Sequence, residues 1–327
     1  MRREIIEIPD AVARLAAPAQ QRQIRDLSMR LRRLDPAAIV TVARGSSDHA
    51  ATYLKYAAEV TLGLPVASVG PSTVTVHSAR FRAQGLAALA ISQSGSSDDL
   101  ALLARALGTA GVHVVALTNT PESVLAEACR DVIDIAAGPE QAVAATKSFV
   151  SSIVAGLWLI GHWAEDTSLL DALSALPDAL ATRGETGMLD RALDQLKAAE
   201  SVVVVGRGAG LGLASEVALK LIETCGVHGA AYSGAEVLHG PRAILSGGFP
   251  VLTLSSGAGQ GMDQAIEALE QQGAGLVSIP ACDTLQHPLV DPLLDMPMLY
   301  GFLETLSRAR GMSADAPRFL KKETQTL

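Results

Sequence analysis

A chain of 327 residues is long enough for two domains with separate cores. Its 49% hydrophobic and 18% charged residues exclude a disordered chain, and a net charge of −8 argues against nucleic acid or an anionic membrane as partner. That charge also repels an anionic substrate at long range, so such a substrate has to be captured by local donors.

The opening "MRREIIEIPD" has no long apolar run behind its charges, so it reads as part of an N-terminal helical segment over 1–30 and not as a signal peptide. Three cysteines, Cys129, Cys225 and Cys282, lack CxxC spacing, which suggests a reduced, cytoplasmic setting with each thiol a small core group. The strand-like runs "AAIVTVA" (37–43), "LAALAIS" (86–92), "VHVVALT" (112–118) and "DVIDIAA" (131–137) alternate with amphipathic stretches such as "HAATYLKYAAEV" and "DDLALLARALGTAG". Alternation of this kind predicts βαβ units and a parallel sheet, here a first domain over 31–166. The longest apolar tract, "IVAGLWLIGHW" (153–163), is too short to span a bilayer and reads as a buried helix. A helical linker over 167–196 precedes a second domain over 197–327. There the pattern restarts with the strand "SVVVVGRGAG", the strand "FPVLTLSSGAG", the helix "MDQAIEALEQQG" and the strand "GLVSIPA".

The halves can be laid on one another. "ARGSSDHA" matches "GRGAGLGL" and "ISQSGSS" matches "LSSGAGQ"; Gly45 and Gly95 stand 50 apart (95 − 45), Gly206 and Gly257 51 apart (257 − 206). This long period suggests a duplicated domain in which serines fill the loops of the first half and glycines those of the second.

Two serine-rich loops follow strands of the first half. Ser92, Ser94, Ser96 and Ser97 offer hydroxyls around Gly95, and "RGSSDH" (44–49) offers Gly45, Ser46 and Ser47 at the end of another strand. Hydroxyls and free N–H groups at a helix N-terminus hold anions. Helix capping alone would also use these residue types, but two such loops, each after a strand, favour a ligand. A nucleotide fits poorly, because there is no GxxxxGK[ST] and "GRGAGLG" misses the dinucleotide glycine spacing. A compact phosphate monoester fits better.

The segment 216–245 concentrates chemistry. Glu216, Lys220 and Glu223 share one face of an apolar helix, where a solvated ion-paired face would be the plain explanation. Glu236 and His239 follow in a loop bounded by glycine and proline, where function concentrates. A single E-x-x-H has no second copy to make a di-iron site, so no metal is expected. In the polar tail "APRFLKKETQTL", "PRFL" could act as an anchor that places Lys321 or Lys322 over a site.

Together these segments resemble the SIS (sugar isomerase) family, above all the isomerase half of glutamine–fructose-6-phosphate transaminase. The resemblance runs from "REIIEIPDAV" through "RGSSDHA", "SQSGSSDDL", "EQAVAATKSF", "LGLASEVALKLIET" and "AYSGAEVLHGP" to "DAPRFLKKET". It implies two tandem α/β SIS domains, flavodoxin-like or Rossmann-like, each a parallel sheet flanked by helices. It implies that Ser47, Ser92, Gln93, Ser94 and Ser97 hold a sugar phosphate and that Val143 and Ala144 line the sugar. It further implies that Glu223 moves a proton between C1 and C2 with Lys220 close by, that His239 opens the ring from the neighbouring subunit of a homodimer, and that Lys322 forms a Schiff base with the ketose. No organic cofactor is implied.

The chain departs from that pattern at Ala145, usually serine, at Ser96-Ser97 in place of an acidic pair of the SQSGET type, and in having no glutaminase domain or N-terminal cysteine. Without an ammonia supply the retained chemistry is expected to run in the ammonia-releasing direction, as a glucosamine-6-phosphate deaminase. A plain phosphosugar isomerase, a deglycase acting on another 6-phosphorylated amino sugar and a non-catalytic sugar-phosphate sensor are the alternatives. Serines that grip a phosphate do not distinguish gluco from galacto sugars.

Overall fold

The structure is a computed structural model that describes residues 1–182, 190–259 and 261–322. Residues 183–189 of the expected linker and the tail beyond Lys322 lie outside the described residues. The chain begins with helices α1 (Arg2–Ile6), α2 (Ile8–Leu15) and α3 (Pro18–Leu34). Then come β1 (Ala38–Val42), α4 (Ser46–Leu62), β2 (Val66–Ser68), α5 (Ser72–Thr75), β3 (Leu86–Ser92), α6 (Asp98–Thr109), β4 (His113–Thr118), α7 (Val124–Ala128) and β5 (Asp131–Asp134). Helices α8 (Lys147–Ala164), α9 (Thr167–Thr182) and α10 (Asp190–Lys197) lead to β6 (Ser201–Gly206), α11 (Gly210–Cys225), β7 (His228–Ser233), β8 (Pro250–Leu254), α12 (Met262–Gln271), β9 (Gly275–Ile279) and α13 (Met296–Ala309).

Two compact units form. The first comprises Ile8–Glu140 and Lys147–Ser174; the second comprises Met1–Glu7, Gln141–Thr146 and the described residues of 175–322. In the first, five parallel strands run in the order β2-β1-β3-β4-β5. β3 and β4 are almost entirely buried, as expected for strands covered by helices on both faces. Val42, Ala90, Leu103, Leu107 and Val114 pack one side of the sheet. Helix α8 is buried along nearly its whole length, with Gly156 against Leu54 of α4. It is the buried helix expected from its composition, and no described helix is long and apolar enough to cross a membrane.

The second unit holds four parallel strands in the order β7-β6-β8-β9. Val203, Val205, Val251 and Leu269 build its core on one side, and α11 packs between the sheet and α13.

Two strands are not visible in the sequence pattern. β2 has three residues with one buried, and β7 is the weakly apolar, half-buried "HGAAYS", held by pairing with β6 from Ser201–His228 to Gly206–Ser233. Tertiary pairing, not β-propensity, makes them strands. No disulfide joins the three cysteines among the described residues, but only Cys225 is a fully buried core group; Cys129 and Cys282 are half-buried. Burial pushes the Cys129 thiol up to about 12 and the Cys225 thiol up to about 11, which keeps both unreactive at neutral pH.

Candidate active site

In an order 2-1-3-4-5 the connections leave β1 and β3 toward opposite faces, and the crevice at their carboxyl ends is where ligands bind. Both serine loops lie there. Gly45, Ser46 and Ser47 follow β1 and open α4; Ser92, Gln93, Ser94 and Ser97 end β3 and lead into α6. The adjoining hydroxyls are mostly engaged within their loop. Ser92 Oγ accepts the N–H of Gly95 at 3.1 Å, and the Ser94 and Ser96 hydroxyls are 2.7 Å apart. An oxygen that accepts in this way keeps its O–H to donate. Ser97 occupies the N-cap position of α6, yet its side chain makes no capping bond. Capping alone therefore does not account for it.

Gly95 has φ +63°, and a Cβ there would meet Ser123 Oγ at 2.0 Å. Only glycine fits. The Gln93 carbonyl accepts from Asn119 N–H at 3.1 Å, which ties the loop after β3 to the one after β4. Arg44 and the buried Asp99 join the two serine loops: Arg44 Nε and Nη2 reach Asp99 Oδ2 at 2.7 and 2.6 Å, and Oδ1 accepts Leu100 N–H. Neither residue was singled out from the sequence, because the pair is formed across 55 positions. Burial pushes the carboxyl of neighbouring Asp48 up, against the opposing charges of His49 and Arg44.

In the second unit the three charges of α11 do not form a solvated face. Glu216 and Lys220 side chains are 0% and 1% exposed, whereas Glu223 is 23% exposed. Lys220 Nζ lies 3.2 Å from Glu216 Oε1 and 2.7 Å from Glu223 Oε2, and Tyr300 of α13 donates its hydroxyl to Glu216 Oε1 at 3.3 Å. Burial alone would lower the lysine pKa; the two carboxylates outweigh it and hold the ammonium above the usual lysine value. Lys220 is thus an enclosed cation that fixes Glu223, and Glu223 is the carboxylate a ligand can reach. Tyr300 had no local signal in the sequence, being 84 positions from Glu216.

Val143 and Ala144 lie in an irregular segment of the same unit. Val143 N–H donates to Asp315 O at 3.2 Å, and Lys322 Nζ donates to Ala142 O at 2.7 Å. The tail is held by these polar bonds and by buried Ala314 and Pro317. Within "PRFL", the segment offered as an anchor, Pro317 is buried, whereas Phe319 is fully exposed with φ +65°. His239 ends a 3₁₀ turn over Glu236–Leu238 and is exposed.

A parallel 2-1-3-4-5 sheet thus carries hydroxyl donors at its switch point, and the second unit holds a buried lysine between two glutamates. The chain belongs to the SIS family: the SIS domain model matches residues 35–160. Over nearly its full length it is similar to a provisionally named phosphosugar isomerase of Silicibacter pomeroyi DSS-3, with 42% identity and a TM-score of 0.88 across 96% of this chain and 99% of that one. It is 32% identical over 288 residues to the isomerizing glutamine–fructose-6-phosphate aminotransferase of Pyrobaculum aerophilum, across 85% of this chain and 47% of that one. The chain thus spans about half the length of the curated relatives it matches. A glucosamine-6-phosphate deaminase of Thermotoga maritima shares the fold, with a TM-score of 0.76 at 20% identity and 99% of each chain covered.

Proposed function

We propose that the chain is a glucosamine-6-phosphate deaminase, an aldose–ketose isomerase that ends in hydrolysis. In this reading Gly45, Ser46, Ser47, Ser92, Gln93, Ser94 and Ser97 take the phosphate by hydroxyl and N–H donation. His239 opens the pyranose. Glu223 removes the C2 proton and returns it to C1, which converts the amino-aldose to a fructose imine. The Lys322 amine attacks that imine carbon; ammonia leaves, and water then cleaves the lysine Schiff base to give fructose 6-phosphate. Water in and ammonia out balance the reaction. Val143 and Ala144 line the sugar.

The observation that carries the reading is the asymmetry of α11. Two carboxylates flank one buried lysine, and only Glu223 is reachable, as a shuttle on a carbon-bound proton has to be. The similarity to the aminotransferase supports an amino-sugar phosphate as substrate. In this reading the exposed His239 serves the neighbouring subunit of a cytoplasmic homodimer.

The test is ammonia release from glucosamine 6-phosphate, with galactosamine 6-phosphate and the N-acetylated sugar in parallel. Glu223→Gln is expected to lower the rate by roughly 10²–10⁴-fold, the range of a general acid–base group. Interconversion of glucose and fructose 6-phosphates without ammonia from any amino sugar would replace the deaminase by a plain isomerase, which uses the same shuttle. Binding with no turnover of either kind would leave a sensor.

A further inference from the structure

We propose that Glu4 is a positioning residue that sets the dock of Lys322; the proposal rests on the reading of Lys322 as the Schiff-base amine. Helix α1 is a single short turn packed against α13, yet its Glu4 side chain is only 8% exposed. Glu4 Oε1 accepts the backbone N–H groups of both Gln141 and Ala142, the latter at 3.1 Å. One peptide further on, the carbonyl of Ala142 accepts Lys322 Nζ, and the Val143 N–H goes to Asp315 O. Ala142 itself is 4% exposed.

Residues 141–143 have no regular secondary structure, so nothing in a helix or sheet ladder fixes them. Their position comes from one carboxylate near the start of the chain and from the tail. Ala142 is held on both sides, by a carboxylate at its N–H and an ammonium at its C=O. Charge-assisted bonds of this kind are short and directional, and together they fix the two peptide planes that meet at Ala142. Removal of the carboxylate leaves two adjacent N–H donors without an acceptor. The segment then shifts, and with it the acceptor on which Lys322 rests. Glu4 touches no reacting atom in this reading. It acts through the segment whose next carbonyl holds Lys322.

The test pairs hydrogen exchange with chemical trapping in the full chain. Fructose 6-phosphate and sodium borohydride are the probes: the lysine amine adds to the C2 carbonyl, water leaves, and hydride reduces the C=N bond to a stable secondary amine on Lys322. In Glu4→Ala, amide exchange is expected to rise both at 141–143 and at 315–322. Trapping and kcat for ammonia release fall about 10- to 100-fold while KM moves less, as for a misplaced reacting group. Glu4→Gln, which keeps one acceptor oxygen, restores most of each. Glu4→Asp, one methylene too short to span both N–H groups, behaves like Glu4→Ala and supplies the result should that variant fail to fold. Faster exchange at 141 and 142 alone, with the tail and trapping unchanged, would reduce Glu4 to a local cap and overturn the proposal. Absence of trapping in the wild-type protein would overturn the Schiff-base reading instead; the exchange at 315–322 would still decide whether Glu4 holds the tail.

Discussion

Lys220 shows how residue identity and burial divide labour among like groups. A lysine taken wholly out of water is costly unless its charge is matched, and here a fully buried and a partly open carboxylate match it. Lys220→Met leaves Glu216 charged and unmatched in the core, so a loss of about 3–5 kcal/mol is expected. Adding Glu216→Gln should recover part of it, because the amide keeps an acceptor for the Tyr300 hydroxyl. The pH dependence has a definite sign. The folded pKa of Lys220 lies above 10.5, so its contribution is fully present below that pH and is lost as pH rises through the higher folded value. Melting curves between pH 8 and about 12 should therefore show an alkaline loss of Tm in the wild type that is smaller in the Lys220→Met, Glu216→Gln double variant. Parallel losses in the two proteins would mean that Lys220 is not held charged by its neighbours.

The connection between β3 and α6 is built around Gly95, and the consequence is testable. Gly95→Ala puts a methyl on Ser123 Oγ at a backbone angle that L-residues rarely adopt. It should weaken inhibition by inorganic phosphate about 10-fold or more while costing only about 1–3 kcal/mol of stability, because the strain falls on the loop and not on the sheet. Gly95→Ala combined with Ser123→Gly removes the collision but not the strained angle, so only part of the affinity should return. Full return would show that the positive φ is immaterial. This element also marks what the sequence makes legible. Long apolar strands such as "LAALAIS", the amphipathic helices between them and the serine loops can be read from local patterns, because burial on both sheet faces and turn chemistry write themselves into neighbouring residues. β2 and β7 cannot, since pairing with β1 and β6 creates them. Glu223, Lys220 and the loop serines are visible in the chain. The groups that orient them, Asp99 with Arg44, Tyr300 with Glu216 and Glu4 with Ala142, are joined across 55 to 138 positions and have no local signature.

At the scale of the molecule, the two sheets share the order 2-1-3-4, yet their switch points differ in what occupies them. In the first unit the loop after β3 holds serine hydroxyls that can still donate. In the second, the loop after β8 is covered by its own unit. A Cβ on Gly257 would meet Pro288 O at 2.3 Å and Pro292 Cγ at 2.6 Å, while the Ser256 hydroxyl donates to Asp295 and accepts Cys282 N–H at 2.9 Å. The covering segment is locked in turn by Asp291, which accepts the N–H groups of Leu285 at 2.7 Å and His287 at 3.0 Å. A phosphate at this loop would have to displace prolines and break a buried hydroxyl–carboxylate bond, the penalty of a buried polar group left without its partner. Calorimetric titration with fructose 6-phosphate should therefore give about one equivalent per chain, weakened about 10-fold or more by Gly95→Ala and untouched by Ser256→Ala. About two equivalents, the second lost in Arg207→Ala, would show that the second switch point still binds an anion through the guanidinium beside Gly261.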